Sequence, residues 1–412
     1  MNAQRGSRIR FLGLGVVIAS LAGCGGGGND DNSSFNVPNS LVIADLNGDG
    51  VPDLAVATTS VANNGSTPNP GFASIFLQNA NSRGTFQNGT HYGTDDNPAS
   101  IASGDLTGTG TTDLVVANFI AGNVSVLLET APNSGQYQNA MNVSTGGSPN
   151  EVVIADVNGD GKQDIVVADN ASAGRVVILM QDPANPAHFL APVQLTAPNA
   201  AAGVAVGDIN GDGKPDIVAA TSDSNGNNGA LAIYYQDPSN AGSFNAPVLF
   251  AGGAQPASVK IADLNADGLP DLAVANIGAG TNGVGSSGVS AVMQDPANPG
   301  SFLAPITYAA QAGAIHVVVA DLNGDGAPDL VTANLDPAPT GSISVLLQDA
   351  TRPGVFQPAT NYAGFGQPLA VAVGDLNGDG LPDIAVADGD TATVMLQTST
   401  PGVFSGGTQI AN

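Results

Sequence analysis

Short apolar runs recur along the chain, each bounded by Gly, Pro, Asn or Asp. One run leads into a polar cluster at 41–44, 152–155, 204–207, 317–320 and 371–374, and another leaves it at 54–57, 165–168, 217–220, 330–333 and 384–387. A third ends on Gln at 75–78, 177–181, 233–236, 344–348 and 394–397, with Glu129 at that place in the second unit. A fourth opens on an aromatic residue: Phe86, Tyr137, Phe189, Phe244, Phe302, Phe356 and Phe404. The runs are rich in β-branched and small apolar residues, and no 3.6-residue period is visible beyond the N-terminal segment, so they predict strands. Four strands per unit in seven units predict an all-β, seven-bladed β-propeller of four-stranded antiparallel blades. Since the first unit starts on its first strand and the last ends on its fourth, contiguous blades are expected; pairing 404–410 with the first unit as a clasp is the alternative.

The polar clusters carry the chemistry. Each spells Asp-x-Asn-Gly-Asp-Gly-x-x-Asp, starting at Asp45, Asp156, Asp208, Asp263, Asp321 and Asp375, with Ala266 replacing the first Gly in the fourth of these. A decayed copy starts at Asp105, and successive starts lie 60, 51, 52, 55, 58 and 54 residues apart. A hairpin turn alone would need only Asn-Gly or Asp-Gly. Three carboxylates in nine residues repel one another unless a cation neutralises them. Oxygen donors at positions one, three and five, a carbonyl at seven and Gly at six match the opening of an EF-hand loop. Position twelve is Val56, Val167, Ala219, Val274, Thr332 or Val386, so the bidentate Glu of an EF-hand is absent and the last acid stands at position nine. The expected Ca²⁺ ligands are therefore Asp45, Asn47, Asp49 and Asp53; Asp156, Asn158, Asp160 and Asp164; Asp208, Asn210, Asp212 and Asp216; Asp263, Asn265, Asp267 and Asp271; Asp321, Asn323, Asp325 and Asp329; and Asp375, Asn377, Asp379 and Asp383. About six ions are expected. Asp105, Thr107, Thr109 and Asp113 lack the central acid, and that loop is expected to be weak or empty.

The repeat resembles the FG-GAP/VCBS repeat of the integrin α-chain propeller and of many bacterial surface proteins, over roughly residues 38–410. The resemblance implies Ca²⁺ held between the first two strands of a blade. The Thr-substituted second copy and the lack of a literal Phe-Gly…Gly-Ala-Pro spelling depart from the family's pattern. Its members include adhesins, lectin-like modules and some polysaccharide-active enzymes, so it constrains fold and metal better than activity.

Composition agrees. The 412 residues hold 35 acids against 9 bases, a net charge of −26, which argues against nucleic acid as a partner. At the N-terminus, Arg5, Arg8 and Arg10 precede an apolar stretch ending Leu21-Ala22-Gly23-Cys24. The stretch is too short to span a bilayer and resembles a lipoprotein signal cut before a lipidated Cys. The expected organisation is a signal peptide at 1–23, lipidated Cys24 with a Gly-rich tether at 24–37, and the propeller at 38–412. Gly25 after the Cys points to the outer membrane or cell surface. A monomer is expected, touching membrane through its lipid only.

No nucleophile elbow, zinc motif or phosphate loop is present. His91, His188 and His316 lack ligand-spaced partners and read as structural; Asp95 and Asp96, with Asp388 and Asp390, are the acidic pairs away from the loops. The second-to-third-strand connections at 58–73, 221–230, 276–288 and 334–342 are long, whereas that at 118–123 is short. Variable loops on a rigid scaffold suit binding. The function expected is a non-catalytic, calcium-stabilised surface module for an extracellular protein or glycan; a carbohydrate-binding module or polysaccharide-active enzyme is the alternative.

Overall fold

The computed structural model describes residues 10–12, 15–17, 34–62, 70–171, 173–223, 229–278, 287–335, 341–389 and 391–410. Seven four-stranded antiparallel sheets are each built from four consecutive strands. Blade 1 comprises Ser34–Ala44, Asp53–Ala62, Gly71–Phe76 and Thr90–Gly93. Blades 2 to 7 begin at Pro98–Gly104, Pro149–Ala155, Ala200–Gly207, Pro256–Ala262, Ala314–Ala320 and Ala370–Gly374. The last blade ends on Thr408–Ile410, paired to Ala392–Met395 of the same blade, so the blades are contiguous and no clasp forms. Arg10–Leu12 and Gly15–Val17 pair as a separate two-stranded sheet. Cys24 lies outside the described residues. No helix among the described residues is long and apolar enough to cross a membrane.

The second strands are apolar at consecutive positions because both of their faces are buried. Ile165 and Val167 point into the interface with blade 2, while Val166 and Ala168 point into that with blade 4, the alternation that a strand imposes. Seven such clusters fill the seven interfaces, the last joining Leu41, Leu54 and Val56 of blade 1 to Ala370, Ala385 and Val394 of blade 7. That cluster closes the ring. Exposure rises outward, from the wholly buried second strands to fourth strands such as Thr90–Gly93, which lie mostly in solvent.

Three features differ from the sequence reading. The first strand begins at Ser34, with Ser34 to Val37 paired against Ala62 to Thr59, inside the stretch read as tether; Val37 is fully buried. The aromatic residues do not open the fourth strands. Each forms an isolated bridge to the Gln or Glu eight or seven residues earlier, from Gln78–Phe86 to Gln397–Phe404, and the fourth strand follows as a separate element. The bridge places the ring on the outer strand of the preceding blade: Tyr137 stacks edge-on against Tyr92, Phe302 against Phe250, Phe356 against Tyr308 and Phe404 against Tyr362, with centroids 5.2–6.0 Å apart. Most of the variable connections, at 63–69, 224–228, 279–286 and 336–340, fall outside the described residues.

The third difference is the role of the Gln. Its amide donates to two carbonyls at once, as its two N–H groups allow. Gln181, Gln236, Gln294 and Gln348 reach Leu106, Val157, Ile209 and Leu264 in the loop of the preceding blade at 2.7–3.0 Å. They also reach Gln163, Pro215, Pro270 and Pro328 of their own loop at 2.7–2.8 Å. Glu129 can only accept, and it takes the amides of Ser134 and Gly135 instead; Thr112 of blade 2 supplies the link to blade 1 by donating to the Asp45 carbonyl. Gln348→Ala, which strips a donor from two carbonyls, is expected to cost about 1–3 kcal/mol and to lower the melting temperature by several degrees in a thermal scan. Gln348→Glu should cost more, since it sets a carboxylate against those carbonyls.

Candidate metal loops and the channel mouth

The nine-residue loops are shaped by their own side chains. In blade 1, Asp45 Oδ1 and Asn47 Oδ1 accept from the same amide, that of Asp49, at 3.1 and 3.0 Å. Two oxygens are thereby drawn together. Asp45 Oδ2 accepts from Gly50, Asp49 Oδ1 from Val51, and Asn47 Nδ2 donates to Asp49 Oδ2. The pattern recurs around Asp156, Asp208, Asp263 and Asp321, and around Asp375 with Oδ1 accepting from Gly378 instead. Such a ring requires left-handed backbone at positions four and six. Gly50 holds φ +80°, and the non-Gly Ala266 is held at +59°, where a Cβ is strained.

The ninth residue is different in kind. Asp53, Asp164, Asp216, Asp271, Asp329 and Asp383 are fully buried. One oxygen of each accepts the amide of loop position two at 2.9–3.1 Å, and the other accepts the amide of the third-strand Gln at 2.7–2.8 Å. Burial, opposed by those bonds and reinforced by the nearby charges at positions one and five, pushes Asp53, Asp164, Asp271 and Asp329 up to about 6.

Of the expected ligands, positions one, three and five are brought together in each complete loop. Position nine is turned onto backbone amides, so that no group of three or more His, Cys, Asp or Glu side chains among the described residues is gathered as a metal cluster. The donor set still fits a hard divalent cation. It offers oxygen alone, from Asp, Asn and the position-seven carbonyl, and each Asp53-type oxygen keeps a second lone pair.

Blade 2 solves the same loop without acids at its centre. Thr107 Oγ1 lies 2.6 Å from Thr109 Oγ1 and 2.9 Å from Thr111 Oγ1, and donates to Asp105 Oδ1 at 3.2 Å. Hydroxyls both donate and accept, so this loop supplies internally the positive partners that the others lack. Asp113 keeps the position-nine bonds to Leu106 and Glu129.

The opposite end of the ring carries a cavity that the sequence reading missed. In six blades the first strand has a register break, between Pro38 and Ser40, Pro98 and Ser100, Pro149 and Glu151, Ala201 and Gly203, Pro256 and Ser258, and Ala314 and His316. A bulge re-aims the residue that follows it, and these residues line the mouth of the central channel together with Ala370 of blade 7. Several tie their blade to the next: Ser40 Oγ accepts from Ile101, Ser100 Oγ from Val152, Glu151 Oε2 from Val204 and His316 Nδ1 from Val371, at 3.0–3.4 Å. Glu151 also pairs with Lys260 at 2.7 Å. Aligning the units would have revealed Lys260, whose position is Val or Ala elsewhere, and Glu151, whose position is Ser, Gly or Ala in every other blade but that of His316.

The other candidates are occupied structurally. His91 Nδ1 is 2.8 Å from Ser74 Oγ, and His188 Nδ1 is 3.2 Å from the Pro186 carbonyl. Asp95 accepts from Asn123 and Asn142, and Asp388 accepts from Thr391. Asp390 lies outside the described residues.

A family profile described as the FG-GAP-like repeat matches residues 45–116, 106–167, 156–219, 212–274 and 321–386. The chain belongs to the FG-GAP repeat family. No curated protein matches this FG-GAP chain in sequence. Solved structures match it in shape. BBS1N, crystallised in complex with ARL6DN, is 13% identical with a TM-score of 0.52, covering 90% of this chain and 97% of its own. The Dos1 propeller is 14% identical with a TM-score of 0.52, covering 92% and 86%. A candidate 6-phosphogluconolactonase from Bacteroides uniformis is 13% identical with a TM-score of 0.53, covering 90% and 94%. At these identities the FG-GAP chain shares their fold.

A carboxyl with a raised folded-state pKa binds its proton more tightly when folded, so its stabilising contribution is full in acid and is lost as pH rises through about 6. In the metal-free chain the four raised carboxyls predict a melting temperature that falls between about pH 4 and pH 6.5. A divalent cation is expected to flatten that fall, as a pH series of thermal scans with and without cation would register.

Proposed function

We propose that this FG-GAP propeller is a non-catalytic, calcium-stabilised binding module, exported and held at the cell envelope by lipid on Cys24. Its loop face is scaffold and its opposite face meets the ligand. The observation that carries this reading is the use made of the loop face. There the third-to-fourth connection of the following blade packs against position three of four loops: Gly135, Gly242, Gly300 and Gly354 lie so close to Asn47, Asn158, Asn210 and Asn265 that an added Cβ would come within 3.0–3.3 Å. The tips of the loops stay exposed, but their shape is fixed by this packing and by their own hydrogen bonds, and it repeats from blade to blade. The opposite face holds the channel mouth and the connections whose lengths differ from blade to blade.

Calcium would be held by positions one, three and five of the six complete loops, with Asp53 and its equivalents next to it. Bound there, it would supply positive charge to acids that no ion pair among the described residues neutralises, and the Asp105 loop, provided with hydroxyls, would need none. Metal analysis of the purified chain is expected to give close to six ions, with EDTA lowering the melting temperature; an unchanged melt in EDTA would refute the stabilising role. Asp212→Ala should remove one ion and Thr109→Asp should add one. Binding is tested by a glycan and protein screen, and turnover of any polysaccharide would overturn the non-catalytic reading.

A further inference from the structure

The ring of blade-to-blade bonds at the channel mouth is interrupted at Ala370 of blade 7 and at two neighbouring blades, 4 and 5. In blade 4 the position is Gly203, where a Cβ would sit 2.9 Å from Glu151 Oε2 and 2.7 Å from the Ala257 carbonyl. The missing side chain lets Glu151 of blade 3 reach past blade 4 to Lys260 of blade 5. In blade 5 the position is Ser258, 2% exposed, and its Oγ is buried without a hydrogen-bond partner. Ser40 and Ser100 at the same register make the bond that Ser258 does not. Lys260 stands two residues beyond Ser258 on the same strand and therefore on the same side. Ser258 lines a cavity of about 90 Å³ together with Glu151 and His316, and Lys260 is held at its edge by its bond to Glu151.

The mouth also holds amide side chains, Asn39 and Asn150, on blades 1 and 3, but the capacity left over on blades 5 and 6 is chiefly for donation. Both Glu151 oxygens are engaged, one by Lys260 Nζ and one by the Val204 amide. Lys260 has given one of its three N–H groups. His316 accepts a backbone amide at Nδ1, so the ring proton of the neutral imidazole sits on Nε2. Burial, with the Lys260 charge, pushes His316 down to about 3, which keeps the ring neutral. Ser258 adds a hydroxyl. Blades 5 and 6 thus each present at least one N–H or O–H able to donate at this side of the mouth.

We propose that this mouth is a binding site for a carboxylate, received by Ser258 Oγ, Lys260 Nζ and His316 Nε2 and carried either by a small free acid or by an acidic sugar residue. Glu151 holds Lys260 in place and keeps the empty site neutral, and Gly203 makes room for that pair. The assignment rests on reading the face opposite the loops as the ligand face, and names the group received there.

The test titrates the full chain, in saturating calcium, with acetate, D-glucuronate and D-glucose, followed by calorimetry and by protein NMR. Both acids are expected to bind and glucose to fail. Glucuronate tighter than acetate identifies an acidic sugar as the source, and the reverse order a small free acid. Ser258→Ala should weaken the acids about tenfold, the worth of one hydrogen bond to a charged group. Because it removes an unsatisfied buried hydroxyl, its melting temperature should hold or rise, which separates a lost ligand contact from a damaged fold. The paired variant Glu151→Gln with Lys260→Met keeps the mouth neutral and should abolish acid binding. Silence toward both acids, equal binding of glucose, or unchanged affinity in Ser258→Ala would overturn the site. A positive glycan or protein screen alongside a silent titration refutes the mouth and leaves the face; acid binding alongside a negative screen supports the mouth alone.

Discussion

The architecture hangs on a buried carboxylate that has no cationic side chain beside it. Asp53 and its counterparts fasten the start of the loop to the third strand with two short amide bonds, and in blades 3 to 6 the Gln whose backbone amide they hold is the residue that reaches the preceding blade. Loop shape, blade integrity and blade-to-blade contact thus meet at one side chain. The arrangement is costly, because a desolvated charge is tolerated only when well bonded or compensated. Burial raises the proton affinity of this group above what its two amide bonds, which favour the ionised form, can offset. An acidic loop on a protein of charge −26 therefore invites a cation for reasons of folding before any reason of function.

Blade 2 shows what changes when that demand is relaxed. Its loop replaces Asn and Asp by Thr107 and Thr109, and its bridging Gln by Glu129, yet it retains Asp113 and the left-handed glycines. Hydroxyls take over the centre, and Thr112 replaces the Gln link to the previous blade. The substitutions form a set. Removing central charge and removing the Gln bond are each compensated by a hydroxyl nearby.

Blade number, contiguity and the loop ring were legible because each is written locally. Burial on both faces of a strand leaves an apolar run, and loop oxygens stand at fixed spacing. What sequence did not disclose lies between units. The Gln at the end of the third strand was visible as a repeat, but its carbonyl partner sits 75–85 residues away, in the preceding blade. The aromatic residues look like strand starts because their neighbours are extended; only the closed ring reveals that each is held by one bridge so that most can lie on the blade before it. Glu151 and Lys260, 109 residues apart, become partners only because a glycine in the intervening blade leaves the line between them open. His316 was read as structural from its lack of neighbours in sequence, while its nearest charge comes from another blade.

The early start of the first strand has a geometric consequence. Ser34 enters the propeller on the side of the channel mouth, since the first strand runs from the mouth toward the loops. With lipid on Cys24, nine residues would separate the lipidated Cys from that entry, at most about 35 Å of extended chain. The mouth would then look toward the membrane across a narrow gap, and the loop face outward. Dissolved acids and single flexible chains could diffuse into such a gap, whereas a broad opposing surface could not follow them.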